Sequence, residues 1–241
     1  MKMGKQKSRR RTTGICAFCA GEYKITADHV PPRSFFPAQV SYALTTVPAC
    51  SKCNRSFQAD DEYFLATLIF DTRTASNPCA VSLAPKVIRG VRRHRTTGHT
   101  GPFVRSVAPM EVRSPAGIHL GVAPSYLPDH DRVARACAHI ARGLYYHETG
   151  RPVPPSLGVV VRARSMLDPA AEPREEIDEI VARTCAGTRR IFGDCFTYCF
   201  RFMAEDPIGG QAIFWFLFYG AIQAICAVED RASAQIREPV Y

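Results

Sequence analysis

Two cysteine pairs of identical spacing, Cys16-Ala-Phe-Cys19 and Cys50-Ser-Lys-Cys53, bracket the tripeptide Asp28-His29-Val30. The second pair runs directly into Asn54. Each Cys-x2-Cys has the spacing of a zinc knuckle, and two of them make a closed site of four thiolates. A zinc held this way has no open coordination position, so it is structural. Chemistry must then come from what the zinc holds in place. Asp28 offers a carboxylate oxygen and Asn54 a carbonyl oxygen, hard donors that suit Mg²⁺ or Mn²⁺ with water and a phosphate completing the shell. His29 brings an imidazole, the side-chain type that titrates near neutrality and can take a proton from water. A hydroxide formed beside a metal-bound phosphate is the requirement for phosphodiester hydrolysis.

At these positions the chain resembles a known family. Asp28-His29-Val30-Pro31, set between Cys16-x2-Cys19 and Cys50-x2-Cys53-Asn54, is similar to HNH endonucleases of the His-Me finger, or ββα-metal, type. In that family an Asp-His pair ends a strand and the last His or Asn of the motif starts a helix. The resemblance covers residues 14 to about 60. It implies a DNA-binding, metal-dependent nuclease, a hydrolase of phosphodiester bonds. Asp28 and Asn54 would be ligands of a catalytic Mg²⁺ or Mn²⁺ (magnesium or manganese), and His29 the general base. DNA is the implied partner, without distinguishing it from RNA. The chain departs from the pattern at Thr45, where the family places an Asn. One turn after Asn54, where some members supply another ligand, stands Gln58, with Asp60 and Asp61 as alternatives or as acids on a helix surface.

A competing reading keeps the zinc and drops the reaction: a non-catalytic zinc-ribbon protein that binds nucleic acid. Arg33, Lys52 and Arg55 lie within the module and suit phosphate contacts; a solvated basic surface is the equal alternative. The charge fits either reading. The 241-residue chain carries a formal net charge of +9, an excess that favours a polyanion as partner. Basic residues crowd positions 2–11 and recur from Lys86 to Arg113.

An apolar share of 46% supports a packed core. The six cysteines outside the pairs, Cys79, Cys137, Cys185, Cys195, Cys199 and Cys226, sit in apolar settings and read as reduced core residues. No apolar stretch follows the basic start, so no signal peptide is expected, and the reading is cytoplasmic. Residues 212–228 are apolar but short for a membrane span and interrupted by Gly220, so they read as buried β structure, with no membrane partner.

The elements that must position these residues follow from periodicity. Tyr23 to Val30 has strand composition and Pro31-Pro32 ends it. Thr45 to Pro48 is a short extended entry to the second knuckle. Asn54 opens a helix that the acids at 60–62 are expected to interrupt. Val87 to Arg95 reads as a basic helix, and Phe103-Val104-Arg105 and Ile118 to Val122 as β pieces. Asp129 caps a helix from His130 to Thr149, stopped by Gly150. Leu157 to Val161 is a strand and 173–185 a helix. Alternation over 191–203 and 213–219 indicates paired strands. The expected fold class is α+β: an N-terminal ββα-metal (HNH) module with a four-cysteine zinc site, then a mixed α+β C-terminal region with an antiparallel hairpin. The expected organisation is a disordered basic arm at 1–13, the nuclease module at 14–70, a basic Gly/Pro-rich connection at 71–128 and an α+β domain at 129–241, the last a place for a protein partner or a signal. The sequence does not set the oligomeric state.

Overall fold

The computed structural model describes residues 13–39, 42–93, 101–114, 116–162, 179, 181–183, 188–203 and 210–231. The basic arm before Thr13, His94, His99, Cys185, most of the helix expected over 173–185 and the turn at 206–209 lie outside the described residues. The chain is α+β, with a β-rich and helical N-terminal segment and a C-terminal region of antiparallel strands.

Strands β1 (Thr13–Ile15), β2 (Glu22–His29) and β3 (Thr46–Cys50) form an antiparallel sheet in the order β1-β2-β3. β2 stops before Pro31-Pro32, as expected of residues that cannot donate to a ladder, and Val30 N–H donates to Thr45 O at 3.0 Å. β3 leads straight into helix α1 (Ser51–Phe70). The helix starts earlier than Asn54 because Cys50 caps it, its sulfur accepting from Cys53 N–H. It also runs unbroken through Asp60, Asp61 and Glu62. The two aspartates find cations on another helix, so they do not interrupt the turn.

Helix α2 (Pro78–Arg93) is longer than the basic segment expected. Asn77 explains the early start: its side-chain oxygen accepts from the N–H groups of Cys79 and Ala80. Helix α3 (Gly101–Ser106) replaces the extended piece expected at Phe103. Phe103 is buried there among the rings of Tyr63, Phe70 and Tyr126, a tertiary environment that overrides its strand preference. A two-stranded ribbon follows, β4 (Val107–Arg113) with β5 (His119–Tyr126). Helix α4 (His130–Thr149) matches its expected ends: Asp129 accepts from Arg132 N–H, and Gly150 takes φ 71°, a left-handed cap that favours glycine.

The second large sheet is antiparallel, ordered β6-β10-β9-β8-β7. Its strands are β6 (Leu157–Arg162), β7 (Arg190–Phe192), β8 (Phe196–Phe202), β9 (Ala212–Phe218) and β10 (Ile222–Asp230). The apolar run at 212–228 is therefore a hairpin, turning at Tyr219 and Gly220. Among the described residues, no helix is long and apolar enough to cross a membrane.

Buried side chains from Cys16 to Val228 make one contiguous apolar cluster. Phe35 shows how it joins the two sheets: its ring lies 5.9 Å from Phe64 of α1 and 6.2 Å from Phe218 of β9, and its carbonyl accepts from Tyr219 Oη at 3.0 Å. α4 approaches the first module so closely that a Cβ at Gly143 would stand 2.4 Å from a methyl of Val30. Cys137 and Cys226 are free and buried, as expected, but Cys79, Cys195 and Cys199 are not reduced: all three are disulfide-bonded, and the Cys79–Cys195 bridge joins the start of α2 to the turn before β8. Burial in apolar settings is shared by free and bridged cysteines, so composition alone did not separate them.

Candidate metal centre

The two knuckles fold onto each other through the β2–β3 pairing. The first is a tight turn: Cys16 N–H donates to Gly21 O at 2.9 Å and Ala20 N–H to Cys16 O at 3.0 Å. Ala17 N–H donates to Pro48 O at 2.8 Å and ties that turn to β3, next to the second pair. The four sulfurs of Cys16, Cys19, Cys50 and Cys53 consequently lie within 4.8 Å of one another. Tetrahedral zinc with Zn–S of about 2.3 Å requires S···S of roughly 3.8 Å. Cys19 Sγ and Cys50 Sγ are 4.0 Å apart, so the donor set fits this metal with small adjustment.

Two backbone donors prepare the sulfurs for negative charge. Cys50 N–H points at Cys16 Sγ at 3.3 Å, and Cys53 N–H at Cys50 Sγ at 3.4 Å. The second of these lowers the Cys50 thiol to about 7, overcoming the effect of burial. Burial pushes the Cys19 and Cys53 thiols up, and the neighbouring sulfurs push Cys53 further. The Cys19 and Cys53 thiols thus resist ionising, and a divalent cation at the centre of the cluster removes that penalty. The cluster is a metal site of zinc-binding type.

The oxygen and imidazole groups between the knuckles do not form a second metal centre. Strand alternation is the reason. β2 continues regularly through His29, which stands opposite Thr46 in β3, so neighbouring side chains leave the strand on opposite faces. Asp28 shares its face with Thr26, toward α1 and α4, and His29 takes the other. Asp28 Oδ2 is 3.3 Å from His139 Nε2, and the other ring nitrogen of His139 is 3.2 Å from Asp61 Oδ1. Asn54 is committed as well: its amide donates to Thr26 Oγ1 at 3.2 Å. Gln58 donates to Glu62. Among the described residues, the four cysteines are the only group of three or more His, Cys, Asp or Glu side chains close enough to hold a metal. The expectation of a Mg²⁺ or Mn²⁺ ion on Asp28 and Asn54 with His29 as base is overturned. With it fall the HNH endonuclease and hydrolase readings.

Asp60 and Asp61, expected as spare ligands or surface acids, are the anchors of α4. Asp60 pairs with Arg132 at 2.8 Å and Arg135 at 2.6 Å. Burial works to raise its carboxyl, but the two guanidinium groups outweigh it and hold it below the usual range. Arg132 also lies over the Tyr63 ring, 4.5 Å from its centroid. His139 is buried, stacked on Phe57 at 4.0 Å and tilted against Phe18 at 4.9 Å. Burial opposes its charged form, yet the hydrogen bonds and charges of Asp28 and Asp61 prevail and push the imidazole up to about 9. Burial draws the Asp61 carboxyl upward against His139. The cluster resolves this by keeping its cation on His139. Sequence reasoning missed this role of His139; only its place among the buried positions of α4 signalled it.

The candidate phosphate contacts separate. Lys52 and Arg55 are exposed on the opening turns of α1. Arg33 is exposed too, but its guanidinium donates to Phe36 O at 3.0 Å and Pro37 O at 3.3 Å, closing its own loop. Comparison of the chain with family models, with curated proteins and with solved structures finds no match, so the site is read from its own geometry.

Proposed function

We propose that the chain is a non-catalytic zinc-ribbon protein that binds nucleic acid, with zinc on Cys16, Cys19, Cys50 and Cys53 as a structural ion. The observation that carries this reading is the four-cysteine cluster with Lys24, Lys52 and Arg55 exposed at its outer surface. The knuckles hold β2 and the start of α1 at a fixed angle, and these two elements supply the cations. A structural zinc of this kind contributes folding free energy to elements too short to be stable alone. Net charge supports a polyanion as partner. What the family resemblance retains here is architectural: the β2–β3–α1 order with the cysteines at its corners.

Three cations on one surface set a specific expectation. Zinc-loaded protein should hold one metal per chain by elemental analysis, and its affinity for a labelled nucleic acid should fall with salt at a log–log slope of about −2 to −3. The double substitution Lys52→Glu with Arg55→Glu should flatten that slope by about 2. Zinc-loaded protein with no salt-dependent binding would refute the proposal.

A further inference from the structure

The outer face of the cysteine cluster contains a built recess. A cavity of about 480 Å³ lies between β2 and the first turn of α1, lined by Tyr23, Lys24, Ser51 and Lys52 with the sulfur-bearing residues at its floor. Tyr23 is 52% exposed. The ring crosses the backbone of Gly21, where an added Cβ would stand 2.4 Å from Cε2 and 3.0 Å from Cζ. A side chain at that position would displace the ring from there. One side of the ring thus lies against Gly21 and the remainder faces solvent. Lys24 and Lys52 are exposed at the same recess, and among the described residues no carboxylate pairs with either. Glu22 and Asp28, the acids of this strand, are outside the lining.

An exposed aromatic ring and two lysines lining one recess match one kind of ligand: a flat base with its phosphates. We infer that this recess is a nucleotide subsite, with a base stacked on Tyr23 and the adjoining phosphates held by Lys24 and Lys52. The inference rests on the nucleic-acid reading above and narrows it. Bases inside a duplex are stacked on each other and cannot reach a side-chain ring, so the partner class is single-stranded nucleic acid. Stacking tolerates any base, since each has a π face, so the subsite selects strandedness over sequence. Gly21 is a positioning residue, acting through the ring it accommodates.

The test uses full-length, zinc-loaded protein and fluorescence anisotropy with three labelled probes: an oligothymidylate of about 12 nucleotides, its oligouridylate counterpart, and a duplex of similar length. The wild type should favour both single strands over the duplex. Tyr23→Ala should weaken single-strand binding about tenfold while duplex binding stays unchanged, and Tyr23→Phe should restore it. Gly21→Ala, which displaces the ring, should weaken it in the same direction. Zinc content and melting temperature, matched between Tyr23→Ala and wild type, separate loss of the ring from loss of the fold. A wild type that binds duplex in a salt-dependent way but shows no single-strand preference, or a preference that survives Tyr23→Ala, overturns this inference and leaves the broader reading standing. A wild type that binds no probe overturns both.

Discussion

His139 ties α4 to β2 and α1 through a charge that cannot reach bulk water. Its ring is 2% exposed and lies between Asp28 of β2 and Asp61 of α1. An imidazolium bonded in this way stabilises the fold below its unfolded value of about 6.5, and that contribution disappears as pH rises through its folded value of about 9. The urea midpoint of zinc-saturated protein should therefore fall as pH is raised from about 7 through 9. His139→Gln should remove this fall and, by leaving two buried carboxylates uncompensated, cost roughly 3–5 kcal/mol. A wild-type profile flat across that window would rule the account out. Gly143 offers a second test at this scale. Alanine there gains about 1 kcal/mol of helix propensity. Against this, its Cβ meets both methyls and the Cβ of fully buried Val30, an overpacking cost of about 1–3 kcal/mol. Sterics should win, so Gly143→Ala lowers the melting temperature, and pairing it with Val30→Ala should recover part of the loss.

At the scale of elements, what was legible in the sequence was local. The ends of α4 were readable because Asp129 and Gly150 act within one turn of themselves. β2 was readable from composition, and the pairing of β8 with β9 from alternation, whereas 212–228 read only as buried β structure and its own hairpin came from the structure. The cysteine cluster was readable because knuckle spacing is itself local. Errors came where a distant partner decided the outcome. Phe103 is helical because three rings from other elements enclose it. The helix α1 continues through its acids because Arg132, Arg135 and His139 arrive from a segment about seventy residues further on. The hydrolytic centre failed for the same reason. Asp28 and His29 are adjacent in sequence, but pairing with β3 keeps the strand regular and sends the two side chains apart. Nothing in the tripeptide announces that His139 will claim the aspartate.

At the scale of the whole molecule, the chain is organised by two sheets bridged by α1 and α4. The zinc-type cluster stiffens one end, and its outer face carries the cations proposed to meet nucleic acid. The Cys79–Cys195 disulfide joins α2 to the turn before β8 across 116 residues of chain. α3, the ribbon β4–β5, α4 and β6 all lie inside that covalent loop. A protease that nicks the exposed ribbon once therefore does not divide the molecule in mass. Without reductant the nicked protein should migrate as a single full-length species, and with reductant as two fragments. In Cys195→Ser the same nick should give two fragments under either condition. Each nicked molecule would carry the cut as a scar while its two halves remain tethered.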